Sequence, residues 1–308
     1  MILPKTLIVP PLDKPIRLDK FLITKFPGSS RNFWRQNLEG RVSVDGRPGK
    51  KSWLLKGGER LSFKEEEILR LKEPPADPGA PHSVVLVDPD FLVVEKPAGI
   101  PTHPLRVGET GTLLQGVLAH YPEVGKIGKD PREGGLVHRL DNETSGLLIV
   151  ARNQEAYDFF REEFEKRRVE KEYAAVVVGK VKQGGRVDLP IAHHPKSKRR
   201  MIVVKNPPQM ISGREAVTFF EVEKRGGDRS LLKVRIPTGV RHQIRVHLAQ
   251  EGHPIVGDIL YGGDSAAVPG LERILLHASS LSFRHPKTLK KVRVKSSIPD
   301  DWDSYLKS

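Results

Sequence analysis

The sequence contains no cysteine, and this absence excludes several classes of protein. A chain without cysteine has no disulfide framework and no Cys-ligated zinc or iron–sulfur site. The chain also lacks an apolar run long enough to span a bilayer, and its first residues, MILPK, lack the apolar core of a secretory signal. We therefore expect a cytoplasmic protein with no membrane partner.

Three patterns that identify common enzyme classes are also missing. The sequence has no Gly-x-x-x-x-Gly-Lys for nucleotide phosphates, and its histidines lack the His-Glu-x-x-His spacing of zinc proteases. His138, Asp141 and Ser145 are the residue types of a hydrolytic triad, but no Gly-x-Ser-x-Gly elbow is present and such close loop positions rarely converge. We expect neither a metal nor a cofactor.

What the chain has in abundance is positive charge. Its 308 residues include 52 Lys or Arg against 38 Asp or Glu, a formal net charge of +14, and the isoelectric point is near 9.8. Such a balance favours an anionic partner, with nucleic acid as the first candidate. The length is sufficient for about two domains with a sizeable core.

The first 63 residues form a basic module with thirteen Lys or Arg and five Asp or Glu, a net charge of +8. Apolar residues at helical spacing predict a helix between Ile16 and Phe26. Ser29 and Ser30 predict the start of a second helix that passes Trp34 and ends at Gly40. The segment RVSVDGR, residues 41–47, predicts a strand and a hairpin turn at Asp-Gly.

A proline-rich run, PPADPGAP at residues 74–81, separates this module from the rest of the chain and predicts a semi-rigid linker. We expect domains at residues 1–63 and 84–308, joined by residues 64–83. The second domain is rich in strand patterns, with helical patterns at 113–120, 153–168 and 241–250. Strands are predicted at 84–87, 91–95, 147–151, 173–178, 217–223, 231–236 and 274–283. The fold class is α+β, with a large mixed, mainly antiparallel sheet.

The segment HRLDNETSG, residues 138–146, places Asp141 in a polar loop just before an apolar strand. An aspartate in a loop is usually a turn or cap residue. Here Arg139 and His138 lie close by in sequence, which favours an ionised carboxylate, and a carboxylate can attack the anomeric carbon of a sugar.

The segment TGVRHQIRVHLA, residues 238–249, follows a strand and opens a predicted helix. Arg241 and Arg245 are four residues apart, so both guanidiniums would lie on one helical face and reach one cleft. A basic amphipathic surface helix is the competing interpretation. Tyr173 begins another strand and could offer its ring to a base, although core packing is the usual role of a strand tyrosine.

Two stretches resemble known families. Residues 14–63, with Arg17-Leu18-Asp19-Lys20, Ser30-Arg31 and Gly40-Arg41-Val42, resemble the S-four-like RNA-binding domain named after a ribosomal protein. The resemblance implies that the basic residues contact phosphates of structured RNA, while a solvated basic surface is the alternative. The implied RNA-binding residues are Arg17, Lys20, Arg31, Arg35 and Arg41.

Residues 85–285 resemble the RluA-type pseudouridine synthase family. The resemblance is carried by HRLDNETSG, by EKPAG at 95–99, by Lys171-x-Tyr173, by HQIRVHL at 242–248 with GHPIVGD at 252–258, and by LLHA at 275–278. It implies isomerisation of uridine to pseudouridine in RNA without an external cofactor. We also expect a monomer. Ribosomal RNA of the large subunit is the favoured substrate, and transfer RNA or a non-catalytic role in ribosome assembly are the alternatives.

The resemblance also implies roles for individual residues. Asp141 is the nucleophile or base at the ribose, Arg245 pairs with it, and Tyr173 stacks on the uracil and accepts the C5 proton. We expect Arg139 to fill the gap left by the extruded base or to hold the neighbouring strand, and Lys96 and Pro97 to support the site. The family often has Arg where this chain has Val240, which leaves the role of Arg241 open. The implied substrate-binding residues are His138, Arg139, Arg241, His242, Gln243 and Leu276.

Overall fold

The computed structural model describes residues 5–26, 34, 38–64, 74–105, 109–128, 130, 132–204 and 213–307. Within this part of the chain, the first 64 residues form a small α+β unit. Strands β1 (Thr6–Ile8), β3 (Val42–Val44), β4 (Arg47–Pro48) and β6 (Arg60–Phe63) make one sheet in the order β1-β6-β3-β4. Strands β2 (Ile16–Arg17) and β5 (Leu54–Leu55) form a second pair, and helix α1 spans Leu18–Lys25.

The local predictions for this unit are confirmed where the structure describes them. Asp45 and Gly46 have φ angles of 49° and 78° and connect β3 to β4 as the predicted hairpin turn. Helix α1 lies inside the predicted helical segment, and Leu18, Phe21 and Leu22 on it are buried in a core with Trp34. The predicted cap at Ser29-Ser30 and most of the second helix lie outside the described residues.

The rest of the described chain is built on one nine-stranded sheet. The strands are β7 (Ser83–Val87), β8 (Phe91–Lys96), β9 (Ser145–Ala151), β10 (Glu170–Val178), β11 (Gly185–Asp188), β14 (Val217–Gly226), β15 (Arg229–Arg235), β16 (Leu276–Arg284) and β17 (Lys291–Lys295). Their order is β11-β14-β15-β10-β16-β9-β8-β7, and β17 also pairs with β16. Among the described strands of this sheet, the β9–β16 pair is parallel and the others are antiparallel. The prediction of a large, mainly antiparallel mixed sheet is confirmed.

Continuous apolar strands are explained by burial of both sheet faces. Every residue of β9 is buried. Leu148 and Val150 join one core cluster, while Leu147, Ile149 and Ala151 join another on the opposite face. Because side chains alternate along a strand, a strand covered on both sides must be apolar throughout.

Helices cover the two faces of the sheet. Helix α2 (Leu113–His120) contributes to the first core, and α3 (Gln154–Glu165) to the second. Helices α4 (Gln243–Gln250), α5 (Ile259–Gly262) and α6 (Trp302–Lys307) follow, and β12 (Ile191–His193) and β13 (Met201–Val203) form a separate hairpin. No helix among the described residues combines the length and apolar character that a membrane crossing would need.

Part of the predicted linker is packed against the larger unit. The Asp77 amide donates to the Gln115 carbonyl of α2 at 2.9 Å, and Ala80 is buried. A Cβ on Gly116 would lie 2.6 Å from the Ala80 carbonyl oxygen, so the glycine allows this close approach. Residues 65–73 of the predicted linker lie outside the described part of the chain.

Helix α4 begins later than the sequence predicts. The predicted helix starts at Arg241, but the observed one starts at Gln243, after His242 in a left-handed conformation with φ 57° and ψ 19°. The prediction that Arg241 and Arg245 share a helical face is therefore wrong. The Val240 amide donates to the Gln243 side chain at 3.1 Å in the turn that precedes the helix.

Candidate active site

The loop that carries Asp141 is fixed from both sides by buried polar groups. The Thr102 hydroxyl donates to the Leu140 carbonyl at 2.8 Å. Lys96, which is fully buried, donates from Nζ to the carbonyls of Asn142, Pro97 and Ile100 at 2.8–2.9 Å. Burial lowers the pKa of Lys96 to about 8, while Glu143 and Asp141 oppose that change. These bonds are the contacts that the predicted supporting role of Lys96 requires.

Tight strand packing aligns this loop with the sheet. Gly146 pairs with Ala278 of β16 in the parallel ladder. A Cβ at Gly146 would lie 2.4 Å from the Ala278 carbonyl oxygen, and the φ angle of Gly146 is 114°. Glycine is therefore required at the end of the loop, because a side chain would separate β9 from β16.

Two nitrogen-bearing groups face the Asp141 carboxylate. Arg245 Nη1 lies 3.7 Å and His242 Nε2 lies 3.9 Å from Asp141 Oδ2. The Asp141 side chain keeps 22% of its surface exposed. These distances exceed those of hydrogen bonds, so the carboxylate is attracted by Arg245 and remains available to a substrate. The predicted pairing of Arg245 with Asp141 is present as an ion pair.

Arg245 is held in place by a second carboxylate that the sequence patterns do not single out. Arg245 Nε and Nη2 donate to the two oxygens of Asp258 at 2.7 and 2.8 Å. Arg245 and Asp258 are both buried. The guanidinium also lies over the Tyr261 ring, 5.2 Å from its centroid. Hydrogen bonding to Asp258 keeps the pKa of Arg245 raised although burial alone would lower it.

His242 is neutral in this environment and belongs to the same group of contacts. Its Nδ1 lies 2.7 Å from the Tyr261 hydroxyl oxygen. Burial lowers the pKa of His242 to about 4, with Asp141 opposing the change and Arg245 and Arg241 adding to it. An uncharged imidazole beside Asp141 can exchange hydrogen bonds with a sugar or a base without competing for the carboxylate charge.

Tyr173 lies in the wall of the same cavity. The side chain is 7% exposed and belongs to the main core cluster. Burial and then the charge of Asp141 raise the pKa of its phenol well above the ordinary value. Tyr173 is therefore a neutral phenol packed in the wall of the cavity, which suits stacking better than action as a phenolate base.

The cavity has a volume of ≈ 1100 Å³ and is bordered by Asp141, Tyr173 and Arg245. Arg139 and Arg241 also line it, and both are exposed. Arg241 donates to the carbonyls of Lys198 and Arg199 at 3.3 and 3.5 Å, so it braces a basic loop, KSKRR at residues 196–200. Several further cations border the cavity: Arg161, Arg167, Lys171 and Arg214.

Three of the predicted substrate-binding residues are strongly engaged with the protein. His138 Nε2 accepts from the Ile149 amide at 3.0 Å, and burial lowers the pKa of its ring to about 3. The Gln243 amide nitrogen donates to the Val217 carbonyl at 2.8 Å, and its oxygen accepts from Thr238 at 3.0 Å. Leu276 is buried in the core, yet it borders the cavity with His138 and Gln243.

Val240, where the resembling family often has Arg, is buried in an apolar cluster with Ile191, Met201 and Val246. A charged side chain at this position would have to extend out of the apolar cluster to reach solvent. Arg241 follows it on the exposed side and contacts the carbonyls of the basic loop. In this structure Arg241 therefore supports the backbone of that loop.

The predicted RNA-binding residues of the basic module are only partly described. Lys20 is exposed on α1. The Arg17 guanidinium makes a bidentate pair with Asp19 at 2.7–3.0 Å. Arg41 is half-buried, and Arg31 and Arg35 lie outside the described residues. The predicted contact of these residues with RNA stays a prediction.

One cluster of metal-ligand types occurs in the described part of the chain, away from the cavity. Asp88, Asp90 and His285 place one ligand atom each within 4.8 Å of one another. Lys287 Nζ lies 2.8 Å from Asp90, and Asn153 donates to the same carboxylate. A lysine ammonium already supplies the positive charge, so the donor set is an internal ion pair.

The fold corresponds to that of a known class of RNA-modifying domain. A solved structure named human RNA Pseudouridylate Synthase Domain Containing 1 covers 75% of this chain and 88% of its own, with a TM-score of 0.59 and 29% identity. The structure of human RNA Pseudouridylate Synthase Domain Containing 4 shares the fold, with a TM-score of 0.55 and 22% identity. The larger unit therefore has a pseudouridylate synthase fold.

Sequence comparison extends this to the family. The family model described as RNA pseudouridylate synthase matches residues 90–250. An uncharacterized RNA pseudouridine synthase of Aquifex aeolicus is 40% identical over 88% of this chain and 86% of its own. Ribosomal large subunit pseudouridine synthase D of Xanthomonas campestris is 35% identical over 96% of this chain and 89% of its own. The chain belongs to the RNA pseudouridylate synthase family, whose members are isomerases acting on RNA.

Proposed function

We propose that this protein isomerises specific uridines of large-subunit ribosomal RNA to pseudouridine, with Asp141 as the reacting carboxylate. The observation that carries the proposal is Asp141 facing Arg245 at 3.7 Å in a cavity that Tyr173 also borders. The substrate is supported by two relatives, from Xanthomonas campestris and Neisseria meningitidis, which are both named ribosomal large subunit pseudouridine synthase D.

The reaction is internally balanced. The C1′–N1 bond of uridine breaks, the uracil turns, and C5 bonds to C1′, after which C5 gives up its proton and N1 gains one. Asp141 either attacks C1′ or removes a proton from the ribose, and an ionised carboxylate suits both steps. Arg245, 3.7 Å away, attracts the carboxylate and keeps it directed at the sugar.

The base must leave its stack to reach Asp141, at a cost of a few kcal/mol. Arg139 is exposed at the cavity wall, and we assign it to the space that the extruded base leaves. Tyr173 stacks on the uracil. Because its pKa is raised, the Tyr173 phenol is neutral. It can therefore accept the C5 proton only if it releases its own hydroxyl proton in the same step. His242 and Leu276 border the bound nucleoside, while Gln243 and His138 position the surrounding backbone.

We further propose that residues 1–63 and 84–308 are two domains joined by a linker at residues 64–83. The basic module binds structured RNA through phosphate contacts by residues such as Lys20 and Arg41, as an S-four-like domain does. The larger unit performs the chemistry. We also propose that the protein is a monomer and works in the cytoplasm on ribosomal RNA.

The test is an incubation of the purified protein with unmodified transcripts of large-subunit ribosomal RNA and of transfer RNA, followed by mapping of pseudouridine at single-nucleotide resolution. Discrete new sites in the ribosomal transcript support the proposal. Sites confined to transfer RNA would change the substrate, and tight RNA binding without any product would indicate an assembly protein instead.

A further inference from the structure

Two side chains on one short turn contact both groups that face Asp141. Asp258 precedes α5 and binds Arg245 through two hydrogen bonds. Tyr261 lies three residues later, under the Arg245 guanidinium, with its hydroxyl 2.7 Å from His242 Nδ1. Arg245 and His242 are the two basic side chains with a nitrogen within 4 Å of the Asp141 carboxylate in the described part of the chain.

The local backbone keeps this turn in place. Gly257 has a φ angle of 83°, and a Cβ there would lie 2.0 Å from the Arg273 carbonyl oxygen. The amides of Tyr261 and Gly262 donate to the Asp258 carbonyl at 3.2 and 2.7 Å. Asp258 is 1% exposed, so its carboxylate is fixed by burial as well as by Arg245. Only glycine fits before Asp258, because a side chain would move the turn away from Arg245.

We infer that Asp258 and Tyr261 are positioning residues for the isomerisation, acting on Asp141 through Arg245 and His242. The inference rests on the proposed function of Asp141. Arg245 has two of its nitrogens committed to Asp258, and Nη1 is the one directed at Asp141. Asp258 thus prevents a tight bidentate Arg245–Asp141 pair, which would cover the reacting carboxylate.

Tyr261 also joins the site to the basic loop. Its hydroxyl accepts from the Met201 amide at 2.9 Å, and its ring lies 5.8 Å from the Arg200 guanidinium. Met201 begins β13, directly after the loop at residues 196–200. The Tyr261 hydroxyl therefore fixes His242 relative to the cationic loop at residues 196–200, whose carbonyls Arg241 contacts from the cavity wall.

The experiment compares Asp258→Asn and Tyr261→Phe with Asp90→Asn on the same ribosomal transcript. Each variant is measured for kcat, KM and thermal stability. A misdirected Arg245 should lower kcat by about 10²-fold in Asp258→Asn with little change in KM. Loss of one hydroxyl in Tyr261→Phe should lower kcat up to about tenfold. Asp90→Asn removes a comparably buried, Lys287-paired carboxylate away from the cavity, and should lose stability while keeping kcat.

A double substitution separates positioning from a purely structural role. If Asp258 acts through Arg245, then Asp258→Asn adds little to the loss of kcat already present in Arg245→Ala. Multiplicative losses, or a loss of stability with kcat unchanged, would overturn the inference. Pseudouridine formation by the wild-type protein is measured first. If the wild-type protein forms no product, that result contradicts the proposed function and not this inference. If Asp258→Asn does not fold, the milder Tyr261→Phe variant still decides whether the turn affects kcat.

Discussion

The Lys96 ammonium and the Asn142 carbonyl, 46 residues apart in sequence, are joined by a hydrogen bond of 2.8 Å. Two further carbonyls, of Pro97 and Ile100, accept from the same nitrogen. Lys96 ends β8, and Asn142 directly follows Asp141. The bond therefore ties the reacting loop to the sheet through a buried cation with three acceptors.

Replacement of Lys96 by methionine should destabilise the protein by about 3 kcal/mol, because a fully buried cation and its hydrogen bonds to three carbonyls are lost. Activity per folded molecule should also fall, since the Asp141 loop loses its anchor. Denaturant unfolding and kcat measured below the transition would check both effects. Lys287→Met, which removes an exposed ammonium paired with Asp90, is the matched control and should have a smaller effect on stability. Equal stability of the Lys96→Met protein would contradict the anchoring role.

Asp141→Ala should leave RNA affinity nearly unchanged and reduce pseudouridine formation to background. The carboxylate contributes little to binding because it is an anion next to an anionic substrate, and its role is in the chemical steps. Filter binding and nucleotide-resolution mapping measure the two quantities on one preparation. Normal turnover by Asp141→Ala would remove this residue from the mechanism, and Asp141→Asn, with the same shape, distinguishes charge from packing.

Deletion of residues 1–63 should weaken RNA binding and flatten its dependence on salt. The segment carries a net charge of +8. For each phosphate that the protein no longer neutralises, the slope of log affinity against log salt becomes shallower by about 0.7–0.9. Chemistry on a short RNA that contains only the target uridine should persist. Binding isotherms between low and physiological salt give the slope, and complete loss of activity on the short RNA would contradict the division of labour.

The free energy of unfolding should decrease as the pH falls from about 6.5 toward 4. Burial lowers the pKa of His138 to about 3 and that of His277 to about 4, whereas unfolded histidines titrate near 6.5. Between these values the unfolded state binds more protons, so acid favours unfolding by about 1.4 kcal/mol per pH unit for each histidine. Urea unfolding at several pH values measures the slope.

His277→Asn should reduce that slope. His277 is fully buried between the hydroxyls of Ser145 and Ser296, at 2.9 and 2.8 Å. The substitution costs stability at neutral pH but removes one titrating group. An unchanged slope would show that His277 does not contribute to the acid sensitivity.

Much of the fold is predictable because the signals are local. Helix α2 matches its prediction at both ends, and β9 follows from its apolar run. The Asp-Gly turn between β3 and β4 follows from the conformations that these residues tolerate. The start of α4 is not predictable in this way, because the backbone of His242 is left-handed. A residue other than glycine adopts this conformation only when its tertiary contacts offset the strain.

The candidate site is predictable in part. Asp141, Arg245 and Tyr173 stand out by residue type and by resemblance, and the ion pair between the first two is present. No sequence pattern singles out Asp258 or Tyr261 for a role at Asp141, although Asp258 lies in one of the motifs that carry the resemblance. Their contacts join segments that are distant from Asp141 in sequence. A pattern of neighbouring residues therefore does not predict their position beside Asp141.

The sequence by itself determined the amphipathic and fully apolar patterns, the positive charge and the loop that presents Asp141, because these depend on neighbouring residues. Only the tertiary structure decided which partners meet across the fold: Asp258 with Arg245, Tyr261 with His242, and Lys96 with Asn142. Such pairs form where burial makes an unsatisfied charge costly, and burial is a property of the folded chain.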